Sequence, residues 1–151
     1  MILSLDTSIW IDLHRRRNAD VLARFSEATL SSIPMVVSVM VLHELETGLA
    51  AAGSSERRRM QLDALLAQCS PIDFSADDSR TSGELRARLR DVGTPIGEID
   101  TLIAGQALAR GWTVVTRNVR HFGRVPGLSL IDWSVGPNPL AAHEIAARIS
   151  G

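Results

Sequence analysis

Lysine is missing from the 151 residues, and all 16 basic side chains are arginine. That excludes lysine-dependent phosphate loops and Schiff-base chemistry at once. Tyrosine is also missing, and three Trp with three Phe are too little for the stacked platforms on which single-strand binders hold bases. The only cysteine, Cys69, allows no intramolecular disulfide, so nothing points to an oxidising compartment. Apolar runs are short, none approaching the roughly 20 residues of a membrane span. Met1 to Leu13 is apolar, but it carries Asp6 and Asp12, has no basic flank and has no small-residue cleavage site, so it reads as a core strand rather than a signal peptide. A soluble, cytoplasmic protein is expected. With 16 basic against 17 acidic residues the formal net charge is -1, so contact with a polyanion has to be local.

What is present suits one domain. A chain of this length with 45% hydrophobic and 22% charged residues buries enough surface to fold without a metal or disulfide staple. Short apolar runs at Ile2–Leu5, Pro34–Val37, Pro71–Phe74, Trp112–Thr116 and Leu128–Ile131 alternate with segments of helical spacing. Helices are expected over Thr7–Leu13, from the cap Asn18 to about Leu30, from the cap Ser38 to about Ala52, over Glu56–Gln68, from Ser75 or Asp77 to Asp91, and over Glu98–Arg110 with Gly111 closing the last. Gly53-Ser54-Ser55 breaks the pattern between the third and fourth, and Arg117–Gly127 reads as a long turn. Such alternation predicts an α/β fold with a mostly parallel five-stranded sheet and helices on both faces. The boundaries expected are a domain over 1–133 and a tail over 134–151, set off by Pro137 and Pro139 and of helical composition from Leu140 to Ser150.

Three carboxylates stand where this architecture converges, outside the carboxyl ends of the strands. Asp6 ends the first strand, Glu44 lies in the helix after the second, and Asp100 opens the helix before the fourth. Each has a plainer reading, as a helix cap, a solvated flank or a partner of the helix dipole. Together they are harder to dismiss, because two carboxylates about 4 Å apart repel by roughly 4 kcal/mol at an effective dielectric near 20 and so want a cation. All-oxygen ligation selects Mg²⁺ or Mn²⁺ over zinc or copper. His14, His43, His121 and His143 show no paired ligand spacing and read as isolated surface histidines.

The segments Ile2-Leu3-Ser4-Leu5-Asp6-Thr7-Ser8, Ser38 to Leu49 around His43-Glu44-Leu45, and Gly97-Glu98-Ile99-Asp100-Thr101-Leu102-Ile103-Ala104 resemble three motifs of PIN-domain, VapC-type toxins. Thr116-Arg117-Asn118-Val119-Arg120-His121-Phe122, followed by Val125-Pro126-Gly127-Leu128, is similar to the fourth. In order and spacing the likeness runs from Met1 to Trp133. It implies a PIN-like fold and an endoribonuclease in which Asp6, Glu44 and Asp100 hold one or two Mg²⁺ or Mn²⁺ ions that activate water at a scissile phosphate. Asp6 and Asp100 would be direct ligands. Glu44 would ligate directly, bind through water or orient the nucleophile. Thr7 or Ser8 would offer a hydroxyl to the pocket or to phosphate, and Thr116 would brace the next turn. Asn118 departs from the fourth acid of many members, keeping an oxygen donor without the charge, which leaves the number of ions open. An Asx-turn is its plainer reading.

Arg117, Arg120 and Arg124, and Arg15 to Arg17, are the arginines placed to meet phosphate, Arg117 foremost. Arg57–Arg59, Arg86, Arg88 and Arg90 read as solvated. The resemblance further implies a homodimer and a small VapB-type antitoxin whose C-terminal segment crosses the pocket. Two other readings stay open: a PIN fold without catalysis that binds RNA or protein, and a DNA-directed or ribosomal-processing nuclease with the same pocket outside toxin–antitoxin systems. A phosphorelay receiver domain is excluded by the missing lysine.

Overall fold

The computed structural model describes residues 1–53 and 55–151; Ser54, in the expected break after the third helix, lies outside the described residues. Five strands form one sheet: β1 (Leu3–Leu5), β2 (Met35–Ser38), β3 (Ser70–Ile72), β4 (Thr113–Val115) and β5 (Ser129–Ile131). Their order is β3-β2-β1-β4-β5, and every pairing is parallel, so the sheet is wholly rather than mostly parallel. The chain walks outward from β1 to β3 and then returns to place β4 beside β1. That reversal splays the connections after β1 and β4 apart and opens a crevice at the carboxyl edge.

Among the described residues seven helices fill the connections, α1 (Thr7–Arg15), α2 (Ala19–Leu30), α3 (Val39–Ala51), α4 (Glu56–Leu66), α5 (Ala76–Asp91), α6 (Glu98–Arg110) and α7 (Val119–Phe122), and α8 (Ala142–Ser150) follows β5. Capping side chains set several starts. Asn18 Oδ1 accepts from Val21 N at 3.1 Å, Ser38 Oγ from Met40 N at 3.2 Å, and Ser75 Oγ from Asp78 N at 3.2 Å. Gly111, with φ 68°, closes α6 in the left-handed conformation that a residue with a Cβ adopts at a penalty. α7 lies inside the stretch expected to be a plain turn. Four residues give too little periodicity for a helix to be read from sequence.

The core is continuous across the sheet. Leu3, Leu5, Val114 and Val115 of the central strands are buried together with Ile9, Trp10, Val41, Ile103 and Phe122 from the helices. Trp10 donates its ring N–H to Leu5 O at 3.2 Å and meets Phe25 edge-on, which in turn meets Trp133. α6 packs tightly on α5 because the face it turns to α5 is small at Gly105: a Cβ there would stand 2.3 Å from the Cβ and 2.5 Å from the Cα of Ser82 in α5. This close approach fixes where the first turn of α6, and so Asp100, comes to rest. After β5, Leu140 N donates to Leu130 O at 2.8 Å and α8 packs on α7. No helix among the described residues is long and apolar enough to cross a membrane.

Candidate active site at the carboxyl edge of the sheet

Asp6 leaves β1 as the residue that caps α1, so its carboxylate is held by local geometry. Oδ1 accepts from Thr7 N at 2.7 Å, while Oδ2 accepts from Ser8 Oγ at 3.0 Å and from Thr116 Oγ1 at 2.8 Å. Thr116 follows β4, the neighbour of β1, and its hydroxyl also receives Asn118 N at 2.9 Å. Asp6 is therefore the helix cap of its plainer reading, and the same carboxylate lies at the strand ends where a site was expected. Glu44, one turn into α3, accepts from Thr7 Oγ1 at 2.6 Å. Asp100, in the first turn of α6, meets His121 Nδ1 at 2.9 Å and Asn118 Nδ2 at 3.5 Å through one oxygen.

Thus the structure brings Asp6, Thr7, Ser8, Glu44, Asp100, Thr116 and Asn118 to one crevice. It differs from the sequence expectation at two neighbours. The Arg117 guanidinium turns away to Asp12 Oδ2 at 2.8 Å, and only its backbone N–H reaches the crevice, donating to Ser8 Oγ at 3.2 Å. His121 is no isolated surface histidine but a partner of Asp100. The overlooked signal was local: a residue three positions after Asn118 faces the same way once a helical turn follows β4. Asn118 directs its amide nitrogen, a donor, toward Asp100, in keeping with positioning more than with charge.

Electrostatics single out Asp6. Four aspartates are almost fully buried: Asp6, Asp12, Asp78 and Asp132, at 4, 5, 1 and 3% exposure. Three of them hold a guanidinium: Asp12 from Arg117, Asp78 from Arg110 and Asp132 from Arg148, whereas Asp6 has no ion pair among the described residues. Burial raises its pKa above the ordinary carboxylate value. The hydrogen bonds from Thr116, Ser8 and Thr7 pull the other way, and the charge of Asp100 adds to the rise.

These features fit a hard divalent cation. Asp6 and Asp100 supply oxygens of the right chemistry and an uncompensated charge, and Ser8 and Thr116 supply neutral oxygens beside them. Among the described residues no three acidic, histidine or cysteine side chains form a ligand cluster by themselves. Ions such as Mg²⁺ or Mn²⁺ take one or two carboxylates and fill their remaining positions with water or phosphate, and Asp6 and Asp100 are the two carboxylates that could serve here. A cleft of about 450 Å³ starts at Thr7 and Glu44 and runs along α1, α3 and α4 past His14, Arg15 and Arg58.

A wholly parallel sheet in the order β3-β2-β1-β4-β5 with acidic side chains at its reversal point defines an α/β fold with a candidate site at its carboxyl edge, and the family model described as PIN domain matches residues 3–128. The chain belongs to this family, in its VapC-type branch. It is 35% identical over 130 residues to the tRNA(fMet)-specific endonuclease VapC of Shigella flexneri, covering 86% of this chain and 96% of that one. To ribonuclease VapC2 of Rickettsia felis it is 36% identical over 139 residues, covering 88% and 98%. Among solved structures, VapBC2 from Rickettsia felis bound to a promoter DNA fragment matches with a TM-score of 0.82 at 33% identity over 88% of this chain and 99% of that one. DNA-bound VapBC from Salmonella typhimurium matches with a TM-score of 0.80 at 32% identity, covering 88% and 98%.

Proposed function

We propose that this protein is a Mg²⁺- or Mn²⁺-dependent endoribonuclease and the toxin of a toxin–antitoxin pair. The observation that carries the reading is Asp6, the one buried aspartate without an arginine among the described residues, set against Asp100 in an oxygen-lined crevice. The ribonuclease and endonuclease names of relatives 35 and 36% identical support the activity, and the VapBC complexes among similar structures support the partner.

Asp6 and Asp100 would hold the ion, with Glu44 beside it. Bound there, the ion would supply positive charge that makes water a better nucleophile and offsets the charge developing on a scissile phosphate. The chain's own residues do the rest. Thr7 N, Ser8 Oγ and Thr116 Oγ1 fix the Asp6 carboxylate, so no reorganisation is needed when substrate arrives. Glu44 is tethered through Oε1 by Thr7 and keeps Oε2 to take a proton from the attacking water. Asn118 and His121 orient Asp100. The water oxygen bonds to phosphorus, the bridging P–O bond breaks, and one RNA fragment ends in phosphate and the other in hydroxyl.

The cleft past Arg15 and Arg58 and the exposed Arg120 would take the RNA backbone, a role that Arg117, committed to Asp12, leaves to them. The VapB-type antitoxin would block this same crevice, and the toxin would act in the cytoplasm as a homodimer within that hetero-oligomer. Incubating total RNA with the purified protein and Mg²⁺ or Mn²⁺, against EDTA and a folded Asp100→Asn variant, tests the activity. Discrete fragments lost in both controls support it. Fragments that persist in the variant place the activity elsewhere, and silence from a protein that binds the ion favours a binding role over catalysis.

A further inference from the structure

The family match ends at residue 128, and relatives covered to 96–98% of their own length account for only 86–88% of this chain. The segment after β5 is nonetheless built onto the site. α7 carries Asn118 at its start and His121 within it, both on Asp100, yet it is a single turn of four residues with no side-chain cap. A turn that short does not hold itself together, so its geometry must come from what packs on it. The helices against it are α6 and α8.

Three contacts join α8 to this turn and its surroundings. Ile145 and Ile149, one helical turn apart and half-buried, bear on Gly123 so closely that a Cβ there would meet Ile145 Cγ2 at 2.7 Å and Ile149 Cδ1 at 3.2 Å. Arg148 NH1, on the same helix, donates to Asp132 Oδ2 at 2.9 Å. Asp132 is buried after β5, accepts Ser134 N and Oγ on its other oxygen, and acts electrostatically on Arg117 next to Asn118. Ahead of the helix, the bond from Leu140 N to Leu130 O pins the connecting segment to β5. The contacts are few and the rest of α8 is exposed, so the helix adds little core while engaging the outside of the turn that faces the crevice.

We propose that α8 is a brace for the site: Ile145, Ile149 and Arg148 are positioning residues that hold α7, and through it Asn118 and His121, against Asp100. The catalytic half of this statement rests on the ribonuclease reading, but the mechanical half does not.

The test uses the full chain with Ile145→Ala/Ile149→Ala, with Arg148→Gln, and with Ile145→Val/Ile149→Val and Arg148→Lys as conservative counterparts. Amide hydrogen exchange is followed by residue, and kcat and KM for RNA cleavage are measured in parallel. Exchange at 119–123 should accelerate at least tenfold in the alanine pair while amides of β1 and β4 stay unchanged. kcat should fall about tenfold with KM nearly constant, and the conservative variants should recover both. Arg148→Gln serves if the alanine pair does not fold. Unchanged exchange at 119–123, or acceleration spread evenly over the sheet, overturns the brace. A wild-type protein that cleaves no RNA sinks the ribonuclease reading instead, and the exchange arm still decides whether α8 holds the turn.

Discussion

Asp6 and Asp78 invite comparison because both are buried aspartates at the start of a helix that follows a strand, Asp6 capping α1 and Asp78 in the first turn of α5. Asp78 is saturated. Arg110 grips it with Nε at 3.0 Å and NH2 at 2.7 Å, Ser75 N and Gln106 Nε2 add further donors, and Arg110 is itself steadied over Trp112. The guanidinium, first of these influences, holds the Asp78 carboxyl far below the ordinary carboxylate range. Asp6 has only neutral donors and faces another acid, and its pKa moves up. In one fold, the same residue type in similar places is completed as a structural joint or left electrostatically unfinished. An unfinished buried carboxylate destabilises the protein alone, and it makes sense where a cation or substrate completes it.

The largest expected effect comes from giving both residues the same substitution. Asp6→Asn keeps size and one acceptor but removes the charge, and RNA cleavage should fall roughly a hundredfold or more, the scale of losing a preorganised electrostatic group. Its metal-free stability should rise, at about 2–4 °C in Tm for each kcal/mol gained in a chain of this size. Asp78→Asn should do the opposite, leaving cleavage by the folded fraction intact while stability drops. Losing one member of a buried pair costs about 3–5 kcal/mol, and the lower end applies because the Arg110 side chain is 32% exposed. Equal falls in Tm for the two variants would break the comparison.

Acid should sharpen it. The folded pKa of Asp78 is depressed, so its contribution is fully present above the unfolded carboxylate value near 4 and is lost as pH falls toward the folded value. The Tm gap between wild type and Asp78→Asn should therefore be constant at neutral pH and close below about pH 4. For Asp6, with a raised pKa, the sign reverses, and the advantage of Asp6→Asn in EDTA should grow as pH rises. Smaller again is the response to Mn²⁺, which at a hundredfold excess over Kd should stabilise wild type and Asp78→Asn alike by about 2.7 kcal/mol and Asp6→Asn much less. Equal shifts in all three proteins would place the ion elsewhere.

Much of the fold and of the candidate site was legible in the sequence. Period and punctuation locate the strands and seven of the helices, and the acids at β1, α3 and α6 stand out because a parallel sheet sends strand ends to one edge. The sequence does not reveal which arginine serves which acid. Arg117 sits in the site motif but pairs with Asp12 across 105 positions, and Arg110 reaches Asp78 across 32; both pairings come from tertiary packing, which no local pattern encodes. His121 was missed for a related reason, since its approach to Asp100 depends on a single helical turn too short to leave a period. Gly105 is legible only in hindsight, as the residue whose missing Cβ lets α6 settle on Ser82.

Cys69 offers the finest control, because it too is shifted by desolvation but is neutral at working pH. Burial pushes its thiol up to about 12, so between about pH 5 and 7 it carries no charge whether folded or not. A raised pKa means that its contribution to stability is intact below the unfolded value and is lost as pH climbs toward the folded one. Cys69→Ala should lower stability by about 1 kcal/mol through lost packing, with a gap to wild type that stays flat to about pH 7 and narrows only as the unfolded thiol begins to ionise above it. Thermal melts of both proteins across that range check the point. A gap that varied between about pH 5 and 7, where the thiol carries no charge, would mean that burial without ionisation reproduces a pH-dependent gap, and the pH response of Asp6→Asn would no longer report on its charge.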